Sequence, residues 1–231
     1  IDAWIPYNTE MSVGLLQVQR RIWQKLYLGV NYVHLEFETA IDSLPTVTED
    51  VLDGIGLNVD LDRRDGVYYP RGGSQSKLRY SAYPEALGNE DPNARLEFDT
   101  NVYRAVGDED VIAARLFAGA GLGDLTFNQQ FVVGGRQDLR GYTQGEYRGE
   151  YLMALQGEYR WNFHDRFGAV GFGGLATVFG SANEDDDGEL LPAIGTGIRF
   201  TADQETNLNV GIDIAFGRGD WGLYFKFGEA F

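Results

Sequence analysis

Side chains suited to catalysis are scarce in this sequence. Histidine occurs only at His34 and His164, and cysteine is absent, so thiolate metal sites and cysteine nucleophiles are excluded. The sequence contains no Gly-x-Ser-x-Gly, no His-Glu-x-x-His and no phosphate-binding P-loop. An enzyme would have to assemble scattered Asp, His and Ser residues at a rim of the fold. We therefore predict that the chain is not an enzyme and keep a rim enzyme as the last alternative.

One segment combines glycine and arginine in a pattern that favours a specific contact. Residues 134–142 read Gly-Gly-Arg-Gln-Asp-Leu-Arg-Gly-Tyr and lie in the longest connector between predicted strands. Gly134, Gly135 and Gly141 allow positive φ and close backbone approach, so the loop can turn sharply inward. The guanidinium of Arg140 would then need carboxylate partners, because an unpaired buried charge is costly and bidentate pairing is favourable. The alternative is an arginine in a solvated loop without a fixed partner.

The charged residues argue against nucleic acid and against a bound metal. The formal net charge is −16, whereas nucleic acid is held mainly by Lys and Arg. Residues 184–188, Glu-Asp-Asp-Asp-Gly, lack the spaced carboxylates and the final Glu of a calcium loop. We expect no metal and no cofactor.

Hydrophobic residues recur with period two along most of the chain. In 93–103, Ala94, Leu96, Phe98, Thr100 and Val102 alternate with charged or amide residues, and a pleated strand sends these two sets to opposite faces. Windows of this kind cover 11–20, 25–39, 51–62, 75–84, 93–103, 110–122, 149–161, 166–179, 190–201, 205–216 and 221–231. The pattern predicts an all-β chain.

Strand and connector lengths favour a transmembrane barrel over a soluble sandwich. Soluble strands average about five or six residues, whereas most of these windows have the roughly nine to eleven that a tilted membrane span needs. Short connectors alternate with longer polar ones, as in outer-membrane barrels. Charged residues on the polar faces would then line the lumen; they are Lys77, Arg79, Arg95, Glu97, Asp99, Arg115 and Arg199.

We predict twelve antiparallel strands, because bacterial barrels have an even number. The twelfth would lie at about Asp2 to Tyr7, a weakly marked segment that contains Pro6. Proline removes a ladder donor and therefore favours an edge or first position.

Three segments resemble the bacterial surface-antigen family, the barrel domain of outer-membrane assembly factors such as BamA and TamA. They are the Arg-Gly-aromatic tripeptide Arg140-Gly141-Tyr142, the run 60–73, which is similar to the family's D-x-R-D…P-x-x-G turn, and the ending 225–231. Together they cover about residues 50 to 231. The resemblance implies that the loop around Arg140 folds back into the lumen and that five strands follow it, as the windows above also predict.

The same resemblance suggests partners for Arg140. In the family a Glu on the next strand meets this Arg, and Glu158 matches its place; alternation also puts Glu158 on the polar face. The family's Asp on the following strand is absent here, because the matching segment reads Gly171-Phe172-Gly173-Gly174-Leu175. Asp213, on the polar face of a later strand, is the candidate to replace it.

The last strand resembles the sorting signal that the barrel-assembly machinery reads in its clients. The signal consists of Asp220, Gly222, Phe225 and Phe227. Trp221, Leu223, Phe225 and Phe227 share one parity and should face lipid. The alternative is that any last strand would carry such aromatics.

The resemblance implies an integral protein of the Gram-negative outer membrane that inserts or translocates other proteins. Its partners would be outer-membrane lipid and, during biogenesis, the barrel-assembly machinery. Relatives with this task usually carry periplasmic POTRA domains, but here the strand pattern begins almost at once, so we expect a single barrel domain over 1–231, from a trimmed or POTRA-less protein. A passive barrel or narrow pore remains the second hypothesis.

Overall fold

The protein, described here by a computed structural model, is built from antiparallel β-strands. The structure describes residues 7–41, 47–134 and 139–231. Within these ranges, eleven long strands form one sheet and follow each other in chain order, and two short strands form a second sheet. The long strands are β1 Tyr7–Trp23, β2 Leu26–Ile41, β3 Val47–Asp62, β4 Gly72–Tyr83, β5 Asn93–Val106, β6 Asp110–Leu122, β9 Tyr151–His164, β10 Phe167–Phe179, β11 Leu191–Asp203, β12 Leu208–Phe216 and β13 Trp221–Phe227.

The remaining elements are short and lie in connectors. Strands β7 Phe131–Val132 and β8 Arg148–Gly149 pair with each other between β6 and β9. Two single-turn 3-10 helices occupy Glu85–Leu87 and Phe127–Gln129. The described ranges contain no helix with the length and hydropathy of a membrane-crossing segment.

All eleven strands that the periodicity predicts are present, and five of them follow the long loop. The predicted twelfth strand at Asp2 to Tyr7 falls almost wholly outside the described residues; Tyr7, its last member, begins β1.

The polarity of the two sheet faces is the reverse of that in a soluble protein. From Tyr151 to Trp161, strand β9 alternates strictly between exposed and buried residues. Its exposed residues are apolar, with Met153 at 53% and Leu155 at 54% exposure, whereas Glu158 and Arg160 are buried. Apolar residues that face outward while charges are enclosed indicate a lipid-facing surface, as in a membrane barrel.

The chain clusters into two compact units. One contains residues 7–41 and 47–59 with Arg79–Leu96 and Gly121–Gln129, and has a small apolar cluster of Phe37, Leu52 and Tyr83. The other contains Asp60–Leu78, Glu97–Ala120 and the described part of Gln130–Phe231. The second unit holds Arg140 and both of its predicted partners.

The register of β9 to β13 brings distant polar residues level with one another. Phe172 of β10 stands opposite Glu158 of β9. Asp213 of β12 stands opposite Gly197 of β11 on one side and Tyr224 of β13 on the other. Because side chains alternate along each strand, these residues share the buried face.

Candidate functional site

The loop between β6 and β9 is closed at its base by the β7–β8 pair. Beyond this pair, the Val133 amide donates to the Tyr147 carbonyl at 2.9 Å. Phe131 packs over Gly119 of β6, where a Cβ would lie only 2.4 Å from the phenylalanine ring. At Phe131 the loop therefore lies against the buried face of β6.

Two glycines of the predicted loop motif are required by its geometry. Gly134 has φ +107° and Gly141 has φ +110°, a region that disfavours side chains. A Cβ at Gly141 would also lie 2.8 Å from the carbonyl carbon of Phe216. Gly135, the other predicted glycine, lies outside the described residues.

Arg140 reaches both of the carboxylates predicted from the sequence. Its Nη2 donates to Glu158 Oε2 at 2.8 Å, and its Nη1 donates to Asp213 Oδ2. The side chain of Arg140 is 1% exposed and those of the two acids are 0% exposed. The loop thus carries a cation into a site that two strands supply with anions.

Phe172 occupies the buried face of β10, within the segment where the family pattern has an Asp. The Arg140 guanidinium carbon lies 3.4 Å from the centre of the Phe172 ring. The face of an aromatic ring attracts a cation, most strongly where water is excluded. Phe172 therefore contributes a cation–π contact instead of a carboxylate, and Asp213 supplies the second negative charge.

Each carboxylate partner of Arg140 also binds a second arginine. Arg160 Nε lies 2.8 Å from Glu158 Oε1, and Arg199 Nη2 donates to Asp213 Oδ2 at 3.3 Å. A buried ion pair is favourable only if further hydrogen bonds compensate for the lost hydration. Each acid is therefore bound to an arginine of the sheet as well as to Arg140 of the loop.

The sequence indicated that Arg160 and Arg199 lie on polar faces but did not identify them as members of this site. The signal that could have identified this site is a glycine two residues from a charged residue on the same face of a strand, as in Gly197 with Arg199 and Gly211 with Asp213. A Cβ at Gly197 would lie 2.0 Å from Asp213 Oδ1, and one at Gly211 would lie 2.7 Å from Arg199 Nη1. These glycines provide the space that the carboxylate and the guanidinium fill.

Asp220, just before β13, and Tyr224, within it, form hydrogen bonds with the tip of the loop. The Gly141 amide donates to the Tyr224 hydroxyl at 2.8 Å. The Thr143 amide and hydroxyl both donate to Asp220 Oδ2, at 2.7 and 2.8 Å. The loop tip is therefore hydrogen-bonded to β13 and to Asp220, in addition to the ion pairs that Arg140 forms with Glu158 and Asp213.

Tyr142 lies buried beside these contacts. Its hydroxyl donates to the Pro192 carbonyl at 2.7 Å and accepts from the Arg218 amide at 3.1 Å. Burial raises the pKa of the Tyr142 hydroxyl. Burial also raises the pKa of nearby Glu146, and the negative charges of Asp220 and Asp186 raise it further.

The predicted sorting-signal residues do not all face outward. Phe225 and Phe227 are exposed, at 59% and 82%, together with Trp221 and Leu223. Asp220 binds the loop, and a Cβ at Gly222 would lie 2.5 Å from the Tyr224 hydroxyl. Asp220 and Gly222 thus have a structural reason for their identity that is independent of sorting.

Other predicted polar-face residues also pair away from the loop. Arg115 donates to both carboxylate oxygens of Asp99, at 3.1 and 3.0 Å. Within the described ranges, no group of three or more His, Cys, Asp or Glu residues could hold a metal.

The sequence matches the Omp85 superfamily domain over residues 7–231. The chain belongs to the Omp85 superfamily. A search of curated proteins finds no match. Among solved structures, the chain is similar to BamA from Haemophilus ducreyi lacking POTRA domains 1–3, with a TM-score of 0.73 and 14% sequence identity.

This structural likeness shows the fold of the Omp85 chain, a transmembrane antiparallel β-barrel. The likeness covers 96% of this chain and 54% of the BamA chain, so the chain spans about half the length of the structure it matches. In a barrel the polar face lines the lumen. The Arg140 loop lies against the buried, polar face of strands in its own unit.

Proposed function

We propose that this Omp85 chain is the integral barrel of a Gram-negative outer-membrane protein that inserts other proteins into that membrane or translocates them across it. The observation that carries the proposal is the buried seat of Arg140 between Glu158 and Asp213 within an Omp85 domain. The Arg-Gly-aromatic loop is one of the three segments on which the resemblance to assembly factors rests.

The outer surface supports a lipid partner for the same protein. Trp161, Ile198 and Trp221 are exposed to 53%, 66% and 63%, and water would make such a surface prone to association. We propose that outer-membrane lipid covers it. The exposed aromatics Phe225 and Phe227 at the end of β13 support recognition by the barrel-assembly machinery during biogenesis.

Client insertion into lipid vesicles tests the proposed activity. The protein is reconstituted into vesicles of bacterial outer-membrane phospholipid, and a urea-unfolded outer-membrane barrel is added as the client. Insertion is read as protection of the client from added protease. We expect the client to insert faster than into empty vesicles. In Arg140→Ala we expect the insertion rate to fall back to that of empty vesicles, because the loop is no longer held by Glu158 and Asp213.

The matched control is Arg104→Ala, which removes an exposed arginine near the end of β5. Ion conductance across a planar bilayer is measured on the same preparations. Conductance without any gain in client insertion would contradict the proposal and support the narrow pore instead.

A further inference from the structure

The chain turns inward directly after the last strand. Strand β13 ends at Phe227, and Gly228 has φ +78° and donates its amide to the Asn209 carbonyl at 2.7 Å. The next side chain, that of Glu229, is 2% exposed. The tail formed by residues 228–231 therefore carries a carboxylate onto the buried face.

Glu229 is held there by three strands. Its Oε2 accepts from Arg199 Nε at 3.0 Å and lies 3.8 Å from Arg160 Nε. Its Oε1 accepts from Asn209 Nδ2 at 2.7 Å. Arg160 also donates through Nη2 to the Phe231 backbone oxygen at 2.9 Å, so the tail is bound by main chain as well as by side chain.

Glu229 completes a closed ring of six alternating charges. In the ring each carboxylate lies between two guanidiniums; the order is Arg140, Glu158, Arg160, Glu229, Arg199, Asp213 and back to Arg140. The six members carry three positive and three negative charges, and the buried side chain of Lys226 lies near the ring. Arg140 and Glu229 occupy opposite positions in the ring. Two routes connect them, one through Glu158 and Arg160 and the other through Asp213 and Arg199.

We propose that Glu229 is a positioning residue for Arg140, acting through Arg160 and Arg199. Without Glu229, three buried guanidiniums would share the carboxylates of Glu158 and Asp213. Each acid would then be drawn towards the arginine that has lost its partner and away from Arg140. Because the ring is enclosed, bulk water replaces the missing charge poorly.

The consequence is a coupling between the tail and the loop. A change that releases the tail weakens the binding of Arg140 to Glu158 and Asp213. A change that releases the loop weakens the binding of the tail by the same free energy, because coupling is reciprocal. The inference goes beyond the proposed function, because it holds for any client or none.

Hydrogen exchange of the intact protein in lipid nanodiscs tests the coupling. The reporters are the Gly141 and Thr143 amides, which are hydrogen-bonded to β13 and Asp220. In Glu229→Gln, which keeps the shape and the Asn209 contact but removes the charge, we expect these amides to exchange about tenfold faster, within the range of couplings between protein sites. Amides in the middle of β9 to β12 should be unaffected.

Two variants calibrate the result. Glu205→Gln makes the same charge change in the exposed turn between β11 and β12 and should leave the loop amides unchanged. Glu229→Asp keeps the charge on a shorter side chain and should give exchange between that of the native protein and that of Glu229→Gln.

The reciprocal measurement keeps the inference testable if Glu229→Gln does not fold. Arg140→Gln should accelerate exchange of the Gly228 amide. Gly228 is next to Glu229, the ring member opposite Arg140. The proposal is overturned if either variant loosens only its own segment, or if Glu229→Gln loosens the strands and the loop equally. Because the readout is exchange, failure here is distinguishable from failure of the client-insertion assay.

Discussion

Replacing Arg140 by alanine measures how much of the loop's order depends on its charge. The side chains of Glu158 and Asp213 are 0% exposed, so both acids lose a partner in a site that water does not reach. Breaking a buried ion pair by removal of one partner costs about 3 to 5 kcal/mol. Arg160 and Arg199 remain bound to the acids. We therefore expect the lower figure, about 3 kcal/mol.

That loss should appear as opening of the loop rather than as unfolding of the sheet. A change of about 3 kcal/mol corresponds to roughly 100-fold in the opening equilibrium. Trypsin cleavage after Arg148, near the end of the loop, should accelerate by that factor when it tracks the population of the open form. Circular dichroism should show unchanged strand content.

Two further variants separate the contributions to this effect. Arg104→Ala controls for loss of an exposed arginine and should leave cleavage after Arg148 unchanged. Arg140→Lys keeps the charge but loses the planar fork that contacts two carboxylates, and should give an intermediate rate. Native cleavage kinetics in Arg140→Ala would refute the reasoning, because the loop would then be held without its ion pairs.

Three other predictions concern the loop tip, its pH dependence and the last strand. Tyr224→Phe removes the acceptor for the Gly141 amide, which should cost about 1 to 3 kcal/mol and accelerate exchange of that amide; unchanged exchange would show that the bond is unimportant. Because the folded state raises the pKa of Glu146, its carboxylate destabilises the fold above that pKa, and the penalty disappears below the unfolded value of about 4.3. Glu146→Gln should therefore raise the unfolding temperature at neutral pH but not at pH about 4, and an equal gain at both would contradict this. Phe225→Ala combined with Phe227→Ala should lower the outer-membrane level in cells more than the lipid-facing control Phe200→Ala does; equal levels would exclude a sorting role.

The sequence determined the strands and the faces they present. A period of two follows from the geometry of any extended chain, so each of the eleven windows could be recognised from its own residues. The pairing of strands joined by short connectors also followed, because such antiparallel neighbours lie side by side. The assignment of Glu158 to the buried face needed only this parity, and its pairing with Arg140 came from the family resemblance.

The tertiary structure alone decided which charges meet. Arg140 and Asp213 are 73 residues apart in sequence, and their contact depends on the register of four strands and on the space left by Gly197. Parity places Arg115, Arg160 and Arg199 on the same kind of face but does not show which acid each one meets. The window 221–231 gives Glu229 the lipid-facing parity of Phe227, but β13 ends at Phe227 and the positive φ of Gly228 turns Glu229 inward. The sequence fixes the face of a strand residue locally, whereas ion pairing depends on distances that only the assembled sheet sets.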